Sequence, residues 1–198
     1  ADADAGHPAS DVTSAAFTIK GVLGISAPTA GEILNINNAK TITWTKTGSI
    51  TTVNLFYSTN DFTTQTSIAN GVTGTSYAWT VPDAISTNVK IKVVDADLGH
   101  PASDVTSAAF TIKGGLAITA PTAGEVLTVS GAKTVTWTKT GTIATVNLYY
   151  STNDFTTQTT IGLALTGTSF AWTVPNAISS NVKIKVVDAD AGHPATDV

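Results

Sequence analysis

The sequence predicts an all-β chain built of tandem antiparallel sandwiches. Three observations carry that expectation. The first is self-similarity at a fixed period: Gly-His-Pro recurs at His7, His100 and His193, 93 residues apart, and Trp44 and Trp79 return at the same spacing as Trp137 and Trp172. A long exact period means one fold repeated. The second is alternation: apolar residues recur every second position, the period of a half-buried strand, not every 3.6. The third is composition. Threonine makes up about a fifth of the 198 residues, twelve of the fourteen acids are aspartate, and leucine, glutamine and glutamate are scarce. Threonine suits a pleated surface, whereas the scarce residues are the usual helix builders.

The repeats align without a gap, 22–105 on 115–198, with roughly three quarters of positions identical. Their frame is offset. Residues 1–21 match 94–114, the tail of a repeat; 22–114 is a complete repeat; 115–198 is a repeat without the counterpart of 106–114. With no initiator methionine or signal peptide in the sequence, the expectation is a mature product or a window on a longer array.

Within a repeat the strands follow in order. Residues 41–45 alternate around Ile42 and Trp44, residues 52–57 around Val53, Leu55 and Tyr57, and residues 76–81 around Tyr77, Trp79 and Val81. Residues 88–93 put Val89, Ile91 and Val93 on one face and Lys90 and Lys92 on the other. In the last segment Ala108, Phe110 and Ile112 are expected to share the core face. Turn formers separate these runs: Pro28-Thr29-Ala30-Gly31, Thr47-Gly48, Asn60-Asp61, Asn70-Gly71, Pro82-Asp83 and Gly99-His100-Pro101. About seven short strands in such a span predict two packed antiparallel sheets.

The motifs Pro28-x-x-Gly31-Glu32, Thr41-x-Thr43-Trp44, Tyr57-x-x-x-x-Phe62, Tyr77-x-Trp79-x-x-Pro82, Lys90-x-Lys92-x-x-Asp95 and Phe110-x-Ile112 follow one another through the whole repeat. In this order they resemble the immunoglobulin-like domain of the serine/threonine-rich GPI-anchored membrane family, found in fungal cell-wall and prokaryotic surface proteins. The chain departs from that pattern at Asn60-Asp61, often Asp-Gly in the family, and at Phe62, often Trp. The resemblance implies tandem immunoglobulin-like sandwiches, secretion, a structural or adhesive role and no catalytic residues.

The feature most like a site is the loop 95–104, repeated at 2–11 and 188–197. Asp95, Asp97 and Asp104 offer hard oxygen ligands of the kind calcium takes, although no EF-hand spacing is present; the alternative is that they close Asx turns. No other cofactor is expected. The single histidine of each repeat has no nucleophile and orienter to form a triad and reads as a loop residue. The lysines belong on the solvent face, and carboxylates are expected off the core positions. Phe56 and Tyr149 are expected to be exposed aromatics, suited to lateral packing or to a glycan platform.

Several functions are excluded. The net charge is −4 without a single arginine, which opposes binding to nucleic-acid phosphates. No apolar run is long enough for a membrane helix, and no cysteine is present for thiol chemistry. The expectation is a structural, non-enzymatic element of an extracellular or cell-surface protein, a stalk, adhesin shaft or filament, with itself as principal partner. A polysaccharide-binding module or an accessory domain of a secreted enzyme is the alternative. Two further expectations concern assembly. The acidic loop should lie at a module junction, facing the previous module's 60–64 and 82–86. Residues 13–21 are identical to 106–114, so Phe17 and Ile19 are strand-donor candidates that could complete 115–198 of another copy, unless a continuous array supplies the same strand.

Overall fold

The computed structural model describes residues 13–97, 99 and 102–197. The first copy of the acidic loop, with His7, and His100 of the second lie outside them. The Thr-, Val- and Ile-rich runs form β1 (Gly21–Ala27), β2 (Ile33–Asn35), β3 (Ala39–Thr47), β4 (Val53–Ser58), β5 (Thr66–Val72), β6 (Ser76–Thr80), β7 (Ser86–Asp95), β8 (Ala102–Ser103), β9 (Val105–Thr106) and β10 (Phe110–Lys113). One sheet has the order β6-β3-β1-β8; the other has β2-β10-β7-β4-β5, with β9 also on β7. Their inner faces share one core, in which Ile42, Trp44, Leu55, Ile91, Phe110 and Ile112 are buried. Tyr57 of one sheet meets Trp79 of the other with ring centroids 5.8 Å apart. This is an immunoglobulin-like sandwich.

The pattern repeats as β11 (Gly115–Ala120), β12 (Ala132–Thr140), β13 (Val146–Ser151), β14 (Thr159–Leu165), β15 (Ser169–Thr173), β16 (Lys183–Asp188) and β17 (Thr196–Asp197). Its sheets are β11-β12-β15 and β14-β13-β16-β17. Among the described residues no helix is long and apolar enough to cross a membrane.

Local chemistry fixes the turns. The buried Ser58 hydroxyl accepts the N–H groups of Asn60 (3.1 Å) and Phe62 (3.0 Å), and the Asn60 carboxamide oxygen accepts the N–H of Thr64 (3.0 Å). These bonds hold Asp61 and Phe62 at φ of 55° and 61°, a left-handed pair that non-glycine residues rarely adopt unaided. Ser151 and Asn153 repeat the arrangement. Where β1 passes over to the second sheet, the Glu32 carboxylate accepts the N–H of Thr29 at 3.0 Å and pairs with the Lys40 ammonium of β3. Glu125 does the same with Thr122 and Lys133.

Two of these expectations need correction, and one strand was not anticipated. Ala108 is exposed, because the final strand begins only at Phe110. Asp95 is buried, because β7 keeps its alternation one step beyond Val93 and carries a carboxylate onto the core side. The three-residue β2 was not foreseen: it alternates too briefly to read, and it exists by pairing in parallel with β10.

Candidate functional site: an open groove and a module junction

In the first module β10 lies between β2 and β7. It pairs in parallel with β2 (Thr111 with Ile33, Ile112 with Leu34, Lys113 with Asn35) and antiparallel with β7 (Phe110 with Val89, Ile112 with Ser86). The Ser107 hydroxyl accepts the Ile91 N–H at 3.0 Å and the Ser107 N–H donates to the Ile91 carbonyl at 2.8 Å, fixing the approach. Phe110 and Ile112 are 1% and 0% exposed.

The second module has no such strand within its described residues, and its surroundings differ accordingly. Residues 126–128, the counterpart of β2, form no strand. Strand β16 begins at Lys183, four positions later than β7 does in its own repeat. Val182 is 43% exposed where Val89 is 0%, and Ile178 is 88% exposed where Ile85 is 8%. What remains is a groove of about 1090 Å³ lined by Leu127, Val129, Tyr150, Trp172, Val182 and Ile184 among others. At its far end β17 pairs Val186 with Asp197, whereas β9 pairs Val93 with Val105. The pairing in the second module is one residue out of step with that in the first. Upstream, residues 13–20 form no strand, and the donor candidates Phe17 and Ile19 are 76% and 82% exposed.

The junction is close. Strand β10 runs through Gly114 straight into β11. Gly141, at φ 97°, lies where an added Cβ would stand 2.5 Å from Ile36 Cδ1 and 3.0 Å from an Asp83 carboxylate oxygen. The Thr142 hydroxyl donates to Asp83 at 2.5 Å, and Ile36, Ile85 and Ile143 are buried. Beside this seam a cleft of about 330 Å³ brings His193, from the acidic loop of the second repeat, to Ser58, Thr59, Thr64, Asp83 and Thr142.

The acidic loop is built from turns. One Asp95 carboxylate oxygen accepts the Asp97 N–H at 3.1 Å, and Asp97 in turn accepts the Gly99 N–H at 2.8 Å. The second oxygen of Asp95 is buried without a hydrogen-bond partner, while Asp104 is exposed. In the second repeat Asp188 and Asp190 make the same two bonds, and His193 Nδ1 stands 3.6 Å from Asp190. Among the described residues no three His, Cys, Asp or Glu side chains converge as a metal site would require. Of the three residues the calcium reading named, Asp95 and Asp97 close successive turns, and Asp104 is exposed on the strand side of the loop.

Phe56 and Tyr149 are half-buried, not exposed as expected, and Lys185 reaches over the Tyr149 and Phe155 rings at 6.0 and 4.5 Å from their centroids. Lys92 covers Phe62 similarly, at 4.7 Å. Of the two aromatics expected to offer a glycan platform, Tyr149 thus has a lysine over its ring. Charge pairing is also denser than the alternation suggested. Asp61 is held below the usual carboxylate range first by the hydrogen bond from Lys90 and then by that from Asn88. Lys183 and Asn181 act likewise on Asp154. Glu32 and Glu125 are lowered chiefly by Lys40 and Lys133.

No protein-family model matches the sequence, and no curated protein matches it. Solved structures that resemble the chain include the fibronectin(III)-like modules of Clostridium thermocellum CbhA, at 17% identity over 88% of this chain and 90% of that one, TM-score 0.30. The FN1–FN3 domains of chicken CNTN1 are 11% identical over 88% of this chain and 64% of that one, TM-score 0.29. The N-terminal four Ig domains of Dscam1 isoform 8.4 are 12% identical over 90% of this chain and 45% of that one, TM-score 0.39. At these scores the likeness carries no functional argument; the sandwich rests on its own strand pairing.

Proposed function

We propose that the chain is a non-catalytic shaft element of an extracellular or cell-surface protein or filament, in which immunoglobulin-like modules stack head to tail. The module limits follow the repeat: 22–114, then 115–198, with 1–21 belonging to the tail of a neighbouring repeat. The observation that carries this reading is the junction. No linker separates β10 from β11, Gly141 sits against Ile36, Asp83 and Ile85, and Thr142 is hydrogen-bonded to Asp83. A joint with buried side chains on both sides leaves little freedom for the modules to swing, as a spacer requires. The motif resemblance to the serine/threonine-rich GPI-anchored family supports the surface location.

Small-angle X-ray scattering of the chain tests the reading. A single extended particle whose dimensions stay constant with salt and temperature supports it. Scattering that demands a wide range of inter-module angles removes the stiff shaft.

A further inference from the structure

We infer that His193 is a proton-operated clasp of the module joint, which tightens the seam when its imidazole is charged and releases it when the ring is neutral. This rests on the stacked-module reading and adds the condition under which the joint holds. The histidine stands among carboxylates from both modules. Its Nδ1 lies 3.6 Å from Asp190 Oδ2 and 3.9 Å from Asp188 Oδ2, both on its own loop. The Asp188 side chain is 2% exposed, and that oxygen has no hydrogen-bond partner. Across the seam, Asp83 of the first module lines the same cleft and accepts the Thr142 hydroxyl. The other titratable group in the lining is the Tyr57 phenol, and among the described residues no lysine contributes to it.

The number of protons decides what the ring can do. A neutral imidazole has one N–H donor and one acceptor nitrogen, whereas an imidazolium donates from both. With the proton on Nδ1, the neutral ring serves Asp188 or Asp190 and keeps only a lone pair for the cleft wall, where Asp83 is an acceptor too. The charged ring donates to its own loop and to the first module together, and its charge is attracted to the acids of both. A buried carboxylate oxygen without a donor is costly, so the gain is largest at Asp188. Imidazole is the side chain whose ordinary titration lies between about pH 5 and 8. The clasp is therefore present on the acid side of that window and lost as the pH rises through it. The Glu32 and Glu125 pairs weaken only below 4.5, outside the window. The geometry belongs to the repeat. Asp188 and Asp190 accept the N–H groups of Asp190 and Gly192 at 3.0 and 2.9 Å. Asp95 and Asp97 do the same for Asp97 and Gly99 in the first repeat, which runs on into β8. The His193 N–H donates to the Asp190 carbonyl at 3.0 Å, which fixes the root of the ring.

Two-dimensional NMR of the whole chain tests the clasp. As the pH is lowered from about 8 to about 5.5, first-module amides at 58–59, 64 and 83–85 should shift with the midpoint of the His193 ring. His193→Gln should abolish that response and leave the His7 and His100 ring signals as they were. His193→Lys, a cation throughout the window, should hold the same amides at their acid positions at every pH. Asp83→Asn should remove most of the first-module shift while the His193 ring still titrates. First-module amides that ignore the ring, a response that survives His193→Gln, or a ring that does not titrate in the window would each overturn the inference. The shaft reading is decided separately by scattering. A chain with a wide range of inter-module angles whose seam amides still follow His193 loses the stiff shaft and keeps the clasp. Constant dimensions with indifferent amides would do the reverse.

Discussion

The two modules carry nearly the same residues, yet Ile36, Ile85 and Val89 lie covered in the first while Val129, Ile178 and Val182 face solvent in the second. The sequences at these positions are conservative replacements or identities, so local preference is not what separates them. For Val89 the difference is one strand, β10; Ile36 and Ile85 also lie against Gly141 of the next module. With β10 in place, residues 33–35 become a strand and β7 extends to Ser86; without it, residues 126–128 stay irregular and β16 starts late. A short segment of β-branched and apolar residues is thus a strand only in the company of its partner, which is how context governs strand propensity. The cost is also legible: each large apolar side chain left in water forfeits roughly 1.5–3 kcal/mol, and several are left at once.

The largest effect to expect is therefore between the modules themselves. In the unaltered chain, hydrogen exchange should show β12, β13 and β16 opening several kcal/mol more easily than β3, β4 and β7, an order-of-magnitude figure from the apolar area left uncovered. Equal protection would mean that the last strand matters little, and the comparison would collapse. Next, Phe110→Ala should destabilise the first module by about 3–5 kcal/mol in denaturant titration and make it resemble the second. The same change at the exposed Phe17 should leave stability within about 0.5 kcal/mol of the unaltered chain.

A smaller effect is expected at the joint. Gly141→Ala meets both a left-handed backbone and the Ile36 and Ile85 side chains. It should widen the inter-module distribution seen by scattering and lower stability by about 1–2 kcal/mol. Gly48→Ala, with the same φ but only Gly21 nearby, isolates the backbone part; identical behaviour of the two would remove the seam from the account.

The smallest effect is common to both modules and depends on pH. The Glu32 carboxyl is held below its ordinary value of 4.5, first by the hydrogen bond from Lys40, and Glu125 is lowered in the same direction by Lys133. A depressed carboxylate stabilises the fold fully above its unfolded-state value, and that contribution is lost as the pH falls through the folded value. Acid titration below 4.5 should therefore weaken both modules in parallel. Glu32→Gln should remove about 1 kcal/mol or less at neutral pH and flatten the acid dependence of the first module. A steeper acid limb in Glu32→Gln than in the unaltered chain would contradict the assignment.

Much of this was readable before any coordinates. Alternation placed Ile42, Trp44, Val89, Ile91 and Val93 in the core because one face of each strand is buried and the other is not. What stayed hidden depends on partners distant along the chain. Nothing local to 33–35 announces a strand whose neighbour lies almost a full repeat away. Nor does Pro28-Thr29-Ala30-Gly31-Glu32 disclose that Glu32 reaches Lys40, or 94–97 that Asp95 turns inward. The left-handed pair Asp61 and Phe62 is fixed by a buried serine hydroxyl, a detail no residue preference would supply. For the groove the situation is reversed. The missing segment could be counted from the repeat, but its consequences for 126–128 and for the register of β17 needed the fold.

The parallel pairing of β2 with β10 bears on how such a chain carries load. Strand β1 leads from the upstream joint through the Pro28 turn into β2, and β10 exits directly through Gly114 to the downstream joint. Tension applied at the two ends draws β2 one way and β10 the other, along their common axis. Their three paired positions are then sheared together and do not peel apart one at a time, so rupture must break them in concert. A module in which that pair is absent meets the same pull with its core already ajar.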